Sequence, residues 1–257
     1  PITWWSWAKT ALFSREGPRN LVREFIMTPD IAIIDSGINP GHPHVGPITG
    51  GHGYETDPKT GQVAQTGDFM DKIGHGTAIA GIIKEKVLDA GLYAVKIFNR
   101  DLGTSVPILT QALAWCVRRK FDIIHLSLGV ENKDSAGPLK QLCDTAREKG
   151  ILIIASARGP EHRIYPACFS NVVGVYRHPD CAWDDLVFHA ERPVAFGAHG
   201  FPRPVPGLPQ EKNFQGHSFA AAHVTAHVAA LMKLYPDHPL ETIIRQLQNN
   251  SHSAPAG

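Results

Sequence analysis

The sequence has almost no excess of charge of either sign, and this absence limits its partners. Its 257 residues contain 25 Lys and Arg against 24 Asp and Glu, a formal net charge of +1. A balanced chain gives no electrostatic reason to bind nucleic acid or an acidic membrane surface. Long apolar runs are also missing, since no stretch approaches the roughly 20 residues that a membrane-spanning helix needs. We therefore expect neither a nucleic-acid nor a membrane partner.

Cysteine is scarce and scattered. None of the four cysteines belongs to a C-x-x-C pair, which argues against a zinc knuckle or a thiol redox motif. Free thiols in a reducing compartment are favoured over a disulfide such as Cys168–Cys181. This pattern predicts an intracellular protein. The sequence leaves open that a signal or pro-segment has been removed, or that the chain is part of a larger parent protein.

Short apolar runs alternate with longer helical patterns along the chain. The runs are rich in Ile and Val and nearly continuous, as is typical of strands covered on both faces. They lie at 30–37, 92–98, 121–129, 151–157 and 172–176. Helical spacing is found at 76–87, 106–120, 137–150 and 239–250. This alternation predicts the α/β class, with a mostly parallel sheet and helices on both faces.

The pattern predicts a single domain from residue 30 to residue 250. Residues 199–210 are dense in Pro and Gly and are interpreted as an ordered surface loop of that domain. Residues 1–29 are expected to be an N-terminal extension that packs on the core, and residues 251–257 a C-terminal tail.

The stretch NFQGHSFAAAHV, residues 213–224, places a serine at the start of a run of small residues. One interpretation is a tightly packed helix start in which Ser218 is merely small. The other is that Ser218 is a nucleophile presented at a helix N-terminus. A serine hydroxyl is too weak an acid to act alone, so the second interpretation needs a histidine base and a carboxylate that orients it.

Two other stretches offer those groups. Asp35 follows the apolar run IAII, where an unpartnered carboxylate would be costly, although a turn-capping role is an alternative. His75 lies in GHGTAIAGII, where glycine on both sides lets backbone and substrate approach the ring. One such histidine is weak evidence, because the chain has 14. Functional residues of open parallel sheets lie at the carboxyl ends of the strands, and such groups would meet there.

Together these stretches are far more specific. IAIIDSGINPGHP, GHGTAIAGII and GHSFAAAHVTAHVAAL, in the order Asp, His, Ser, resemble the signature blocks of the subtilisin-like serine proteases, the subtilase family. DIIHLSLG and YPACFSNVVGV resemble two further blocks, so the resemblance runs from about residue 30 to residue 235. It implies a subtilisin-like three-layer domain in which Ser218 is the nucleophile, His75 the general base and then acid, and Asp35 the orienting carboxylate.

The resemblance also implies a substrate-binding wall and an oxyanion donor. Ser127, Leu128 and Gly129 correspond to the family's substrate-binding Ser-Leu-Gly. In ILIIASARGP, Arg158 stands where the family has the asparagine that donates to the oxyanion. We expect the guanidinium, or a main-chain N–H beside it, to take that role. The alternative is that the Arg158 side chain points into solvent, which leaves the Ser218 backbone N–H as the one donor to the oxyanion. His217 also departs from the family pattern, and we interpret it as a surface or packed histidine.

The expected function is that of a serine endopeptidase that forms an acyl-enzyme on Ser218 and selectively processes a peptide or protein substrate. Two alternatives stay open: a peptide acyl transferase or macrocyclase on the same scaffold, and a catalytically weak or dead binding module. His42, His44 and His52 are close enough in sequence for a metal cluster. The family pattern already accounts for His42-Pro43 as a turn, so no metal and no cofactor are expected.

Overall fold

The computed structural model describes residues 28–253. The ten strands of this part of the chain are Asp30–Asp35 (β1), Gly50–Thr56 (β2), Val63–Thr66 (β3), Gly91–Lys96 (β4), Ile123–Leu126 (β5), Leu152–Ser156 (β6), Val173–Arg177 (β7), Leu186–Phe188 (β8), Phe196–Ala198 (β9) and His252–Ser253 (β10). Its five α-helices are His75–Lys86 (α1), Val106–Arg119 (α2), Ala136–Glu148 (α3), His217–Leu234 (α4) and Leu240–Asn249 (α5). Single 3₁₀ turns lie at Lys133–Ser135 and Gln210–Lys212.

The strands form one mostly parallel sheet. Their order is β10-β8-β9-β7-β6-β5-β1-β4-β2-β3. Within the described residues only the β2–β3 and β8–β9 pairs are antiparallel. The five predicted apolar runs correspond to β1 and β4–β7, which are contiguous in the sheet. Strands β2 and β3 lie at one edge, and β8–β10 lie at the other.

Helices cover both faces of this sheet. The side chains of β1 alternate between two apolar clusters: Ile31 and Ile33 pack with α1, α4 and α5, whereas Ala32 and Ile34 pack with α2 and α3. Helix α4 is buried almost all round, because its small residues let the sheet and α1 approach its backbone closely. The predicted three-layer α/β fold is therefore confirmed.

The described residues include a short part of each predicted terminal segment. The predicted N-terminal extension falls on residues 1–27, outside the described residues, and on Thr28 and Pro29. His252–Ser253, within the predicted tail, pair with Val187–Phe188 of β8. Residues 201–209 contain no helix or strand. Within residues 28–253, every helix is too short or too polar to cross a bilayer.

Candidate active site

The topology brings the candidate residues to one edge of the sheet. Asp35 is the last residue of β1, His75 is the first residue of α1, and Ser218 lies in the first turn of α4. In a parallel sheet, strands end and the following helices begin at the same edge. Three side chains from distant parts of the chain therefore meet there.

A continuous hydrogen-bond chain connects them. His75 Nδ1 lies 2.8 Å from Asp35 Oδ1 and 3.0 Å from Oδ2. Its other nitrogen, Nε2, lies 2.8 Å from Ser218 Oγ. With the proton of the neutral ring on Nδ1, the ring donates to the carboxylate and accepts from the serine hydroxyl. This arrangement can remove a proton from Ser218.

Burial and charge set the protonation of this chain. Asp35 is fully buried, and burial alone would raise its pKa. The His75 charge and hydrogen bonds from His75, Ser127 and the Ser36 N–H hold that pKa below its ordinary value. Burial would likewise lower the pKa of His75, but the Asp35 charge and hydrogen bond, with a smaller effect of Asp71, raise it. The carboxylate therefore stays ionised and makes the imidazole a stronger base.

Close backbone approach is required where α1 meets β1. A Cβ added to Gly76 would lie 2.2 Å from the Gly37 carbonyl oxygen and 3.1 Å from Asp35 Oδ1. Gly74, just before His75, has a φ of 91°, a conformation that glycine adopts readily. These two glycines of the GHG motif let the imidazole lie directly against the carboxylate.

Asp71 holds this junction together, and sequence reasoning missed it. Its carboxylate accepts hydrogen bonds from the backbone N–H groups of Ile73, Gly74 and Thr77 and from the hydroxyls of Ser36 and Thr77. Ser36 Oγ in turn accepts from the Gly76 N–H at 2.9 Å. Asp71 thereby fixes the start of α1 against the end of β1. The available signal was an aspartate four residues before the histidine in DKIGHGT.

A cleft of about 300 Å³ opens beside Ser218. Ser127, Leu128 and Gly129, which follow β5 directly, lie along it as the predicted substrate wall requires. Apolar side chains continue the lining, and at its rim lie charged and imidazole groups. Besides those three residues and Ser218, the lining consists of His75, Phe98, Leu102, Glu131, Ser156, Ala157, Arg158, Ile164 and His217.

Comparison with known proteins identifies the family. A model described as the Subtilase family matches residues 28–256. The chain belongs to the subtilase family. The sequence-based resemblance is thus confirmed over nearly the whole chain.

Individual subtilases are only distantly similar to this chain. The minor extracellular protease Epr of Bacillus subtilis is 32% identical over 157 residues, which cover 56% of this chain and 22% of that protein. The thermostable alkaline protease of Halalkalibacterium halodurans is 28% identical, over 86% of this chain and 61% of its own length. Subtilisin amylosacchariticus of Bacillus subtilis subsp. amylosacchariticus is 26% identical, over 80% and 56%. The chain therefore spans less than two thirds of each of these relatives.

Arg158, which departs from the subtilase pattern, lies at the cleft rim. Its Nη1 donates to Glu131 Oε1 at 3.1 Å, and 69% of its side-chain surface is exposed. In this position the guanidinium is engaged with Glu131. An oxyanion role requires it to leave that partner, so this role stays a prediction.

A buried histidine links the predicted substrate wall to α4, and sequence reasoning missed it. His125 of β5 is fully buried, and burial lowers its pKa to about 4. Its Nδ1 lies 2.9 Å from Thr225 Oγ1 of α4, and its Nε2 lies 3.0 Å from Ser127 Oγ. Thr225 donates its own hydroxyl to the Ala221 carbonyl at 2.8 Å, which continues these hydrogen bonds within α4. The neutral ring joins Ser127 to α4.

The three histidines considered for metal binding do not come together. His42 and His44 contact each other with ring centroids 4.9 Å apart. His52 packs instead on Trp115, with ring centroids 4.2 Å apart. Between residues 28 and 253, no three His, Cys, Asp or Glu side chains form a set of metal ligands.

All four cysteines of this subtilase are free thiols in the structure, consistent with the interpretation favoured from the sequence. Three of the four side chains are buried, and burial raises the pKa of each thiol. They are therefore poor nucleophiles. The four residues are Cys116, Cys143, Cys168 and Cys181.

Proposed function

We propose that this subtilase is a serine endopeptidase that hydrolyses peptide bonds through an acyl-enzyme on Ser218. The observation that carries the proposal is the hydrogen-bond chain Asp35–His75–Ser218, which opens into a cleft large enough for a substrate side chain. Nucleophilic serine catalysis needs a base within hydrogen-bonding distance and a group that orients the base, and the chain meets both requirements.

The proposed reaction proceeds in two halves. His75 takes the Ser218 proton while Oγ bonds to the carbonyl carbon, and the carbonyl electron pair moves onto oxygen as an oxyanion. The tetrahedral intermediate collapses as the protonated His75 gives its proton to the leaving amine. Water then attacks the acyl-enzyme by the same route and restores the serine. Asp35 stays ionised throughout and stabilises the imidazolium.

The oxyanion needs hydrogen-bond donors at the start of α4. The Ser218 backbone N–H is one, because the first N–H groups of a helix have no partner within it and are directed outward. Arg158 is proposed as a second donor, which would exchange Glu131 for the oxyanion as negative charge develops. A charge-assisted hydrogen bond to the oxyanion would be stronger than an amide's.

The pH dependence tests His75 as the base. Only the neutral ring can accept the Ser218 proton, so kcat/KM should rise with pH through the pKa of His75. Because Asp35 raises that pKa above the ordinary 6.5, we expect the midpoint to lie above 6.5. The measurement is kcat/KM for a fluorogenic peptide from pH 5 to 9. His238→Gln, which changes an exposed histidine, should leave the midpoint unchanged. A rate independent of pH from 5 to 8 would remove His75 as the base.

We further propose selective processing of a peptide or protein rather than general digestion. Arg158 and Glu131 hold opposite charges at the rim of a cleft whose wall includes apolar Phe98 and Ile164. Such a mixed lining favours substrates that combine apolar with polar or charged side chains. It disfavours uniformly apolar ones, which offer no polar partner to the charged rim.

A peptide library tests both activity and selectivity. We expect cleavage at a restricted set of sequences, with a polar or charged residue required at one position. The products are identified by mass spectrometry after incubation with the protein. A broad apolar preference would contradict selective processing, and intact peptides throughout would contradict the peptidase proposal itself.

We also propose an intracellular location. The free cysteines support a reducing, intracellular compartment, whereas one similar protease is named extracellular. A pro-segment or a larger parent protein is proposed as an additional partner.

A further inference from the structure

His217, the residue just before the nucleophile, was interpreted from the sequence as a surface or packed histidine. The structure places it at the first position of α4, with its side chain half-buried. It lines the same cleft as Ser218, His75 and Arg158. Its imidazole is therefore part of the surface on which a substrate carbonyl would react.

One hydrogen bond determines which nitrogen of this ring carries the proton. The backbone N–H of Arg177, the last residue of β7, donates to His217 Nδ1 at 3.0 Å. A backbone N–H can only donate, so Nδ1 must be unprotonated. The single proton of the neutral imidazole is then on Nε2, which becomes a donor. Within residues 28–253, no group accepts a hydrogen bond from Nε2.

The surroundings keep the ring neutral. Burial lowers the pKa of His217, and the neighbouring Arg177, His162 and Arg158 lower it further. Protonation of Nδ1 would also break the bond from the Arg177 N–H. The ring is thus held both in position and in one tautomer, and its Nε2 proton is available for a hydrogen bond.

We propose that His217 Nε2–H donates a hydrogen bond to the oxyanion formed when Ser218 attacks a substrate carbonyl. The inference rests on the proposed endopeptidase function. Attack by Ser218 Oγ places the oxyanion beside the Ser218 N–H, and a donor on the preceding residue, in the same cleft, is adjacent to it. No proton leaves His217. It stabilises the charge that develops while His75 carries out both proton transfers.

This donor differs from Arg158 in being ready before the reaction. Arg158 must break its bond to Glu131 and order a long exposed side chain, which costs conformational entropy. His217 needs no such rearrangement, because Arg177 already fixes its ring. Donors positioned in advance stabilise a transition state most effectively. We infer that His217 partly replaces the side-chain amide that the subtilase pattern has at residue 158.

Two substitutions of His217 separate donation from packing. In His217→Asn, the side-chain oxygen can still accept from the Arg177 N–H, but nothing reaches the position of Nε2. In His217→Gln, the amide extends to about the position of Nε2 and can donate. We expect the Asn variant to lose about 10–10²-fold in kcat with KM within about twofold, since loss of one oxyanion donor costs up to roughly 10³-fold. The Gln variant should recover part of the loss.

A peptide aldehyde supplies a second measurement that a merely structural role would not change. It adds to Ser218 as a hemiacetal whose oxygen occupies the oxyanion position. Its inhibition constant should therefore rise in His217→Asn by about the same factor as kcat falls, while KM for the substrate stays constant. Both variants should unfold at the wild-type temperature, which shows that the fold is intact.

The outcomes distinguish this inference from the proposed function. If the wild type neither hydrolyses peptides nor reacts with a serine-directed probe, the endopeptidase proposal fails. If the wild type is active and His217→Asn keeps its kcat and its aldehyde affinity, only the His217 proposal is overturned. A rise in KM at constant kcat would also overturn it, because it assigns His217 to substrate binding instead.

Discussion

Ser218→Ala should abolish labelling by a fluorophosphonate probe and reduce peptide hydrolysis by about 10⁶-fold. That is roughly the loss of turnover on removal of the nucleophile in subtilisin, whose name several relatives of this chain share. The expectation follows because Ser218 Oγ is the atom that His75 Nε2 contacts at 2.8 Å. Labelling is read by intact-protein mass spectrometry and hydrolysis with a fluorogenic peptide.

The fold should tolerate this substitution. Ser218 lies in the first turn of α4, and its hydroxyl makes one side-chain hydrogen bond in the described structure, the bond to His75. Thermal unfolding of the variant should therefore match the wild type. Ser170→Ala, which changes an exposed serine outside this cleft, is the matched control and should label normally. Equal labelling of Ser218→Ala and wild type would overturn the assignment of the nucleophile. Absence of labelling in both would favour a binding module.

Arg158→Ala should lower kcat by roughly 10–10³-fold with little change in KM. This is the signature of an interaction made mainly in the transition state. The reason is that the charged donor acts only once the oxyanion forms, after the guanidinium has left Glu131. Steady-state kinetics on one good peptide substrate gives both constants. Arg158→Asn, which restores the amide of the family pattern, should recover activity or exceed the wild type.

Glu131→Gln is the control for the rim pair. It removes the charge that holds Arg158 in the resting structure, so kcat should stay the same or rise. Because both side chains of the pair are more than two-thirds exposed, its loss should hardly change stability. If Arg158→Ala is as active as the wild type, the arginine has no oxyanion role, and Ser218 and His217 remain as the proposed donors.

The central strands of the sheet were predictable because each one corresponds to a local apolar run in the sequence. Strands β1 and β4–β7 are covered on both faces and therefore read as continuous apolar runs. The edge strands were missed for a physical reason. Strand β2 reads GGHGYET, without an apolar run, and β8–β10 have only two or three residues each. Such segments become strands through pairing with neighbours that are far away in sequence.

The candidate site was predictable in its residue types but not in its supporting contacts. Asp35, His75 and Ser218 lie in motifs whose glycines and small residues mark close approach of the backbone. Asp71 and His125 lie beside such motifs, in DKIGHGT and DIIHLSLG, but nothing in those motifs indicates what the two side chains contact. A single polar residue has no periodicity, so its hydrogen-bond partners cannot be inferred from spacing. Their roles became visible only where the ends of β1 and β5 meet α1 and α4.

By itself, the sequence determined the family, the α/β class and the three candidate catalytic residues. The order of the motifs and the apolar periodicity can both be recognised in the amino-acid sequence without a structure. Only the tertiary structure decided that Arg158 is bonded to Glu131, 27 residues away, and that His217 accepts from Arg177, 40 residues away. Those bonds depend on how loops from different strands pack at one edge of the sheet. That packing decides whether a given N–H faces the oxyanion or a protein acceptor, and hence which departures from the family pattern matter for catalysis.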